Sequence, residues 1–500
     1  MARQNVRATL FSYLDEFRTQ MRTARISLIS RCNRRGFTTP AFAVALVVVM
    51  LMLALICDRL WIEAARVELQ TGAETAALAA ARSLASDELL KEKPDLSYLE
   101  TARYQAAHVA SLNLVAGEPI ELNQGFQGDI RLGKLEPAGE DAGDVDRPPQ
   151  VDVSSPDDST RVLSPTEMTA SRDNVVFSRN TRFVETDESP TSVVVFGERT
   201  RFRENPVGLF VVGATGLPWG DVSTHAEASL LSPVVGLRPL DGSSTPLLPL
   251  AIMRSEGTGS VDQTWQKAIT ENGGPDEWSY DETTSTISRG ADGLPELKLT
   301  FGLPTSSSSA VTNAVLLDLG SDFNTELVAS QMVEGVHGEN LHQWNGELRL
   351  PVEATRKAML AESKEQQDSE AQNASASSPN VGLSMPASLI DLKTAERDAL
   401  TSLIGQNRIV ILFNAGGTSD SNNGKNESES STTRVKTDLQ VAAVSLAVVR
   451  ILEVIDEKDG RCEVIVQPSV LATRTALVDA SDPRQQTSQP QYLYQLRLTN

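Results

Sequence analysis

The sequence predicts an α+β protein in which a single transmembrane helix continues into an Ala-rich helical stalk. β-rich exoplasmic domains of antiparallel sheets with disordered insertions follow. Three observations carry this. Gly36 to Cys57 is a run of twenty-two residues without a charge. Asp58 to Ser86 is dense in Ala, Leu, Glu and Arg, with no Pro. Beyond residue 119 the apolar residues change from helical spacing to alternation.

The uncharged run, GFTTPAFAVALVVVMLMLALIC, covers about 30 Å as a helix, the depth of a bilayer's hydrocarbon core. Its apolar residues, among them Phe37, Phe42, Leu46, Leu51 and Leu55, point all around the axis, as lipid requires and a soluble surface helix does not. Ala41, Ala43, Ala45 and Ala54 are small enough to let a second helix approach closely or to face lipid. Before the run, eight arginines, including Arg31, Arg34 and Arg35, outweigh Asp15 and Glu16 for a net of +6. Basic charge beside a first span stays inside, which predicts a cytoplasmic amino terminus and an exported remainder. Asp58 follows the run directly, and Trp61 lies where an interfacial aromatic anchor is expected. A cleaved secretory signal is the rival reading. The long basic head weighs against it, as does the first small-x-small site, Ala77-Leu78-Ala79, lying far inside a helical pattern.

The formal charge is -21, so the part after residue 36 carries about -27, which does not suit nucleic acid or an anionic bilayer surface. Of the three cysteines, Cys32 falls on the cytoplasmic side, Cys57 at the edge of the span and Cys462 in a strand. The exported part therefore has no disulfide framework, and Cys462 reads as a small buried hydrophobe.

In the stalk, Ala65, Leu69, Ala73, Ala76, Ala80 and Leu84 recur at intervals of three and four and form a shallow apolar face. A second helix, Tyr98 to Asn113, repeats this with Ala102, Ala106, Ala107 and Ala110, and the two read as an antiparallel hairpin. That face either packs on the domain that follows or serves assembly through helix contacts, so oligomerisation through span and stalk stays open.

The segment RRGFTTPAFAVALVVVMLMLALICDRLWIEAARVELQTGAETAALAAARSLAS resembles the amino-terminal segment of TadE/TadG-like proteins of the bacterial tight-adherence (Tad, Flp) pilus-assembly system. The residues that carry the likeness are Arg34, Arg35, Gly36, Asp58, Gln70 and Ala73 to Ala81, with Glu74 at a position where the pattern has Asp. The likeness extends more loosely through ARYQAAHVASLNLVAGEPIEL and NPVGLFVVGATGLPWGDVSTHAEASLLSP. Gly36 and Phe37 meet the first two requirements of prepilin-type cleavage, but position five of such a mature chain would be Ala41 rather than Glu. That departure favours an uncleaved, TadG-like anchor over a TadE-like pseudopilin.

The resemblance implies a single-pass protein of the bacterial inner (cytoplasmic) membrane, with its carboxyl-terminal domains periplasmic. It implies a structural or assembly role in a Tad pilus or related secretion apparatus. The partners implied are the lipid bilayer and other Tad/Flp assembly membrane proteins, with no cofactor and no nucleic acid.

The expected organisation is a basic head at 1–36, the span at 37–57, the stalk at 58–118 and a β-rich domain at 119–236 containing an acidic loop at 136–173. A second β-rich region at 237–362 and a low-complexity linker at 363–385 follow. An α+β module at 386–475, with a disordered insertion at 415–433, precedes a tail at 476–500 that holds a final strand. Expected strands include Ser192–Phe196, Thr200–Arg203, Gly208–Val212 and a half-buried Val222–Leu230 with His225 on its wet face. Asp322–Val333 and Leu389–Ile404 read as helices. Leu439–Ile455 and Cys462–Val466 read as a hairpin around EKDG.

No catalytic constellation emerges, and the chain is read as non-catalytic. His337 and His342 with Glu334 and Glu339 lack the spacing of a helical zinc motif. Gly424-Lys425 lacks the first Gly and the final hydroxyl of a phosphate loop, and no G-x-S-x-G elbow occurs. Asp241-Gly-Ser243-Ser-Thr245 approaches the D-x-S-x-S metal motif of the von Willebrand type A domain found in some larger TadG-like proteins, but ends in Thr and follows Arg238-Pro239-Leu240. A membrane-anchored adhesin or envelope scaffold unrelated to pili, and an anchored envelope hydrolase, are the rival readings.

Overall fold

The computed structural model describes residues 38–125, 128–137, 161–162, 181–210, 216, 218–240, 242–255, 263–282, 284–302, 312–351, 382–389, 391–414, 439–456, 461–478 and 492–499. Gly36, Phe37, Arg31, Arg34 and Arg35 lie outside them, as do the insertion 415–433, nearly all of the linker 363–385 and most of the acidic loop. The chain divides into two compact units, Met1–Val67 with Arg199–Val222, and Glu68–Glu198 with Ser223–Asn500.

One continuous helix, α1 (Thr38–Leu84), contributes to both. At 1.5 Å per residue its 47 residues span about 70 Å. Its amino-terminal part is the one helix among the described residues that is long and apolar enough to cross a membrane. Among the described residues, the smaller unit also holds a 3-10 turn at Arg201–Arg203 and a two-stranded antiparallel pair, Val207–Gly208 with Trp219–Gly220. The expected strand at Thr200–Arg203 is thus a turn. The Thr200 amide donates to Asn205 Oδ1 at 3.0 Å, Arg203 donates back to the Thr200 carbonyl at 3.1 Å, and Glu204 takes a left-handed φ of 61°, which ends any extended run.

In the larger unit α1 runs on to Leu84. Ser86 caps a 3-10 turn, Asp87–Leu90, by accepting from the Glu88 amide. Helix α2 (Ser97–Ser111) then returns antiparallel to α1, because the Asn113 amide side chain at its far end reaches Thr75 Oγ1 and the Ala116 amide reaches Glu68 Oε2.

A seven-stranded sheet follows, in the order Leu471–Thr473, Leu493–Leu498, Val222–Leu231, Ser192–Arg199, Ile130–Pro137, Thr181–Glu185 and Arg161–Val162. The expected alternation in Val222–Leu231 fails at its second half, where Glu227 and Ser229 are buried along with Ala226, Ala228 and Leu230. The polar side chains are covered because the final strand Leu493–Leu498 pairs on this edge, and Thr499 bonds to both Glu227 and Ser229.

The second seven-stranded sheet orders Leu297–Thr300, Cys462–Pro468, Leu439–Asp456, Leu383–Ser388, Ala314–Leu317, Leu247–Ser255 and Asn407–Asn414. The 18-residue strand Leu439–Asp456 also pairs with Asn407–Asn414, which closes five of the strands into a ring. Asn407–Asn414 is parallel to Leu247–Ser255, an exception to the antiparallel rule of the sheet. Segments expected as separate regions, 237–362 and 386–475, share this one sheet. Residues alternate between two cores along several strands: in Leu247–Ser255, Leu248, Leu250 and Ile252 enter one, Leu247 and Ala251 the other. The first core is completed by α3 (Thr325–Glu334) and α4 (Thr394–Ser402) through Val328, Met332, Ala399 and Leu400.

Helix α3 starts at Asn324, whose side chain accepts from the Glu326 and Leu327 amides. Helix α4 is shorter than its expected span, 389–404. Ser388 is tied into the sheet opposite Leu316, and the buried Glu396 caps the Lys393 amide at 2.8 Å, which fixes the helix start five residues later.

Candidate functional site at the end of the apolar helix

Along α1 every residue from Pro40 to Leu53 is exposed, so Ala41, Phe42, Leu46 and Leu51 have no protein around them. Leu55 and Cys57 are likewise exposed. Phe42 is 74% exposed and Leu46 55%. A naked apolar helix of this length is stable only where the surrounding medium is itself apolar. The change comes at one residue: Asp58 is 4% exposed.

The burial of Asp58 has a specific cause. Its Oδ1 accepts a hydrogen bond from the Phe210 backbone amide at 2.9 Å. One helical turn on, the Trp61 ring packs against the Phe210 ring at 5.2 Å between centroids and 60° between planes. Gly220 faces the helix at Ile62, where an added Cβ would stand 2.9 Å from Ile62 Cδ1 and would make the tip of that side chain shift. The pair of short strands therefore rests on the helix between Ile62 and Asp58. Its base is fixed by Arg201, which makes two side-chain bonds of 3.1 Å to Asp221 Oδ2 while its amide takes Asp221 Oδ1.

In the larger unit the stalk face expected from the spacing is buried to the last residue. Leu69, Ala73, Ala76, Ala80 and Leu84 are 0–1% exposed. Ala65, in the smaller unit, is 1% exposed. Burying Leu69 and Leu84 is worth about 1.5–3 kcal/mol each. Leu69 meets the first sheet where Gly197 leaves room for it. Gln70 accepts from the Thr224 hydroxyl and donates to Glu74 Oε1 at 2.8 Å. The chain's own sheet and second helix thus occupy this face, and a second copy finds no access to it.

The match is local and specific. Residues 36–83 fit the family model of putative Flp pilus-assembly TadE/G-like proteins. No curated protein and no solved structure matches the chain. The TadE/G-like segment coincides with α1 almost to its last residue and so comprises both the naked apolar part and the docked stalk. Within it, Asp58 and Gln70 each hold a residue of the stretch 205–233, Phe210 and Thr224 respectively.

The histidines stay apart. His108 stacks on Tyr104 on the open face of α2. His225 touches Phe196, and His337 precedes a 3-10 helix, Gly338–Trp344, that contains His342. Among the described residues no group of three His, Cys, Asp or Glu side chains gathers as metal ligands would. Cys462 is fully buried, and burial pushes its thiol up to about 11.

Sequence reasoning missed Phe210, Trp219, Ile62 and the buried pair Asp87–Arg450. The only sequence signal for the first two is an uncharged stretch from Asn205 to Gly220 with aromatics between glycines.

Proposed function

We propose that the chain is a non-catalytic, single-pass, TadG-like structural or assembly component of a Tad (Flp) pilus or related secretion apparatus. Its amino terminus is cytoplasmic, and its β-rich part stands on the far side of the bacterial inner membrane. The observation that carries the reading is the coincidence of the TadE/G-like match with a helix exposed on all sides from Pro40 to Leu53 that carries a buried face from Asp58 through Ala65 and Leu69 into the stalk. The +6 charge of the head supports the orientation. Ala41 in place of Glu and the large β-rich remainder support an uncleaved TadG-like anchor over a pseudopilin. The partners are the bilayer and other membrane proteins of the assembly.

The test joins the mass of the membrane-extracted protein to protease shaving of spheroplasts. An intact chain whose residues beyond 58 are digested from outside supports the reading. A chain starting at Phe37 makes it a processed pseudopilin, and a soluble protein starting near residue 80 removes the anchor. Co-purification with assembly ATPase or platform proteins tests the pilus connection separately.

A further inference from the structure

The pair of short strands in the smaller unit does more than cover Asp58. Its direction along α1 follows from its contacts: Gly220 lies against Ile62, whereas Phe210 is bonded to Asp58. Moving from the base to Phe210 therefore descends the helix by one turn, about 6 Å, toward the apolar run. Two large aromatics are exposed on this pair, Phe210 at the lower end at 68% and Trp219, beside Gly220 and opposite Gly208, at 44%. Trp61, packed on Phe210, continues the same aromatic group onto the helix itself. The stretch from Asn205 to Gly220 holds no charged residue, although the chain carries 22% charged residues.

Large aromatics exposed within about one helical turn, between Asp58 and Ile62, need an occupant. The level is fixed by the Asp58 bond, one residue after the last apolar residue of the run, which is the depth of the headgroup boundary if the run spans a bilayer. Aromatic rings are favoured at that depth because their apolar faces and polar edges suit a half-wet layer.

We propose that Phe210 and Trp219, together with Trp61, form an interfacial foot that rests in the headgroup layer of the same bilayer the helix crosses. The occupant is phospholipid. The foot is a second attachment to the membrane beside the span, and the Asp58–Phe210 hydrogen bond sets its height. This rests on the membrane-anchor reading above.

The test uses the full chain reconstituted in phosphatidylcholine–phosphatidylglycerol vesicles, with and without phosphatidylcholine brominated near the headgroup end of one acyl chain. Bromine quenches only those tryptophans that reach the lipid. The emission lost by wild type is compared with that lost by Trp219→Phe, Trp61→Phe and Trp265→Phe. Quenchable emission is expected to fall in both Trp219→Phe and Trp61→Phe and to stay unchanged in Trp265→Phe, since Trp265 is 2% exposed in a core. The variant Phe210→Trp is expected to gain quenchable emission, a readout that loss of folding does not imitate.

If Trp61→Phe removes quenchable emission while Trp219→Phe removes none and Phe210→Trp adds none, the foot is overturned and the anchor stands. If no tryptophan is quenched, the anchor reading and the foot fall together.

Discussion

The Asp87 carboxylate, just past the end of α1, is buried against the Arg450 guanidinium, 363 residues further along the chain. Its other oxygen accepts from Ser469 Oγ at 2.7 Å and the Val470 amide at 2.8 Å. Arg450 in turn lies 3.6 Å over the Tyr280 ring. The start of the turn after the stalk is thereby fastened to the central strand of the second sheet.

Removing one partner leaves a buried charge without compensation. Asp87→Ala is expected to cost about 3–5 kcal/mol. The loss should appear as a lower denaturant midpoint of the detergent-solubilised protein. Coupling Asp87→Ala to Arg450→Met should recover much of it, because the pair is then removed as a whole. If the double variant is no more stable than the single one, the pair does not act as a unit.

Asp58 controls the local order of the strand pair that rests on it. Asp58→Ala takes the acceptor from the Phe210 amide at a cost of about 1–3 kcal/mol. The effect is expected as faster tryptic cleavage at Arg201 and Arg203, with the denaturant midpoint of the larger unit unchanged. Equal cleavage rates in variant and wild type would remove Asp58 from this role.

Glu227 is expected to make stability depend on pH. Burial raises its pKa above the ordinary carboxylate value, against the bond from Thr499, which lowers it. The fold then binds the proton more tightly than the unfolded chain. The contribution is present below the unfolded pKa and lost as pH rises through the folded one. Glu227→Gln should therefore be more stabilising, or less destabilising, at pH near 7.5 than near 4.5, measured as melting temperature at each pH. A difference of the opposite sign would contradict the burial of the charge.

Thiol reactivity separates the two described cysteines. Cys462 is buried with its pKa near 11, while Cys57 is exposed. In a Cys32→Ser background in detergent at pH 8, Cys57 should react with a small maleimide promptly and Cys462 only on unfolding. Mass spectrometry of the labelled peptides reads the order directly.

What the sequence revealed depended on how local the governing physics is. The naked run and the Ala-rich face of α1 were legible because a period of three and four is written within a few turns, and burial then followed the spacing at Leu69, Ala76 and Leu84. Glu227 and Ser229 were misread as wet because alternation reports only local amphipathicity. Their cover is a strand that lies more than two hundred residues away in sequence. Asp87 and Arg450 were invisible for the same reason, since neither sits in a pattern that names its partner. Phe210 left a faint trace, an aromatic in an uncharged stretch. Asp58 was picked out by position and resemblance, without any indication that it would be buried.

The final strand, Leu493–Leu498, occupies the flank of Val222–Leu231 in the first sheet. Glu227 and Thr499, bonded there, are 272 residues apart in sequence. A chain synthesised amino terminus first therefore leaves that flank of Val222–Leu231 unpaired until Leu493–Leu498 is made, and the whole second sheet precedes the strand that covers it. During this interval an open strand edge is free to pair with another chain. The first sheet therefore completes this flank only after every strand of the second sheet has been made, and misassembly at that edge is most to be expected in the interval.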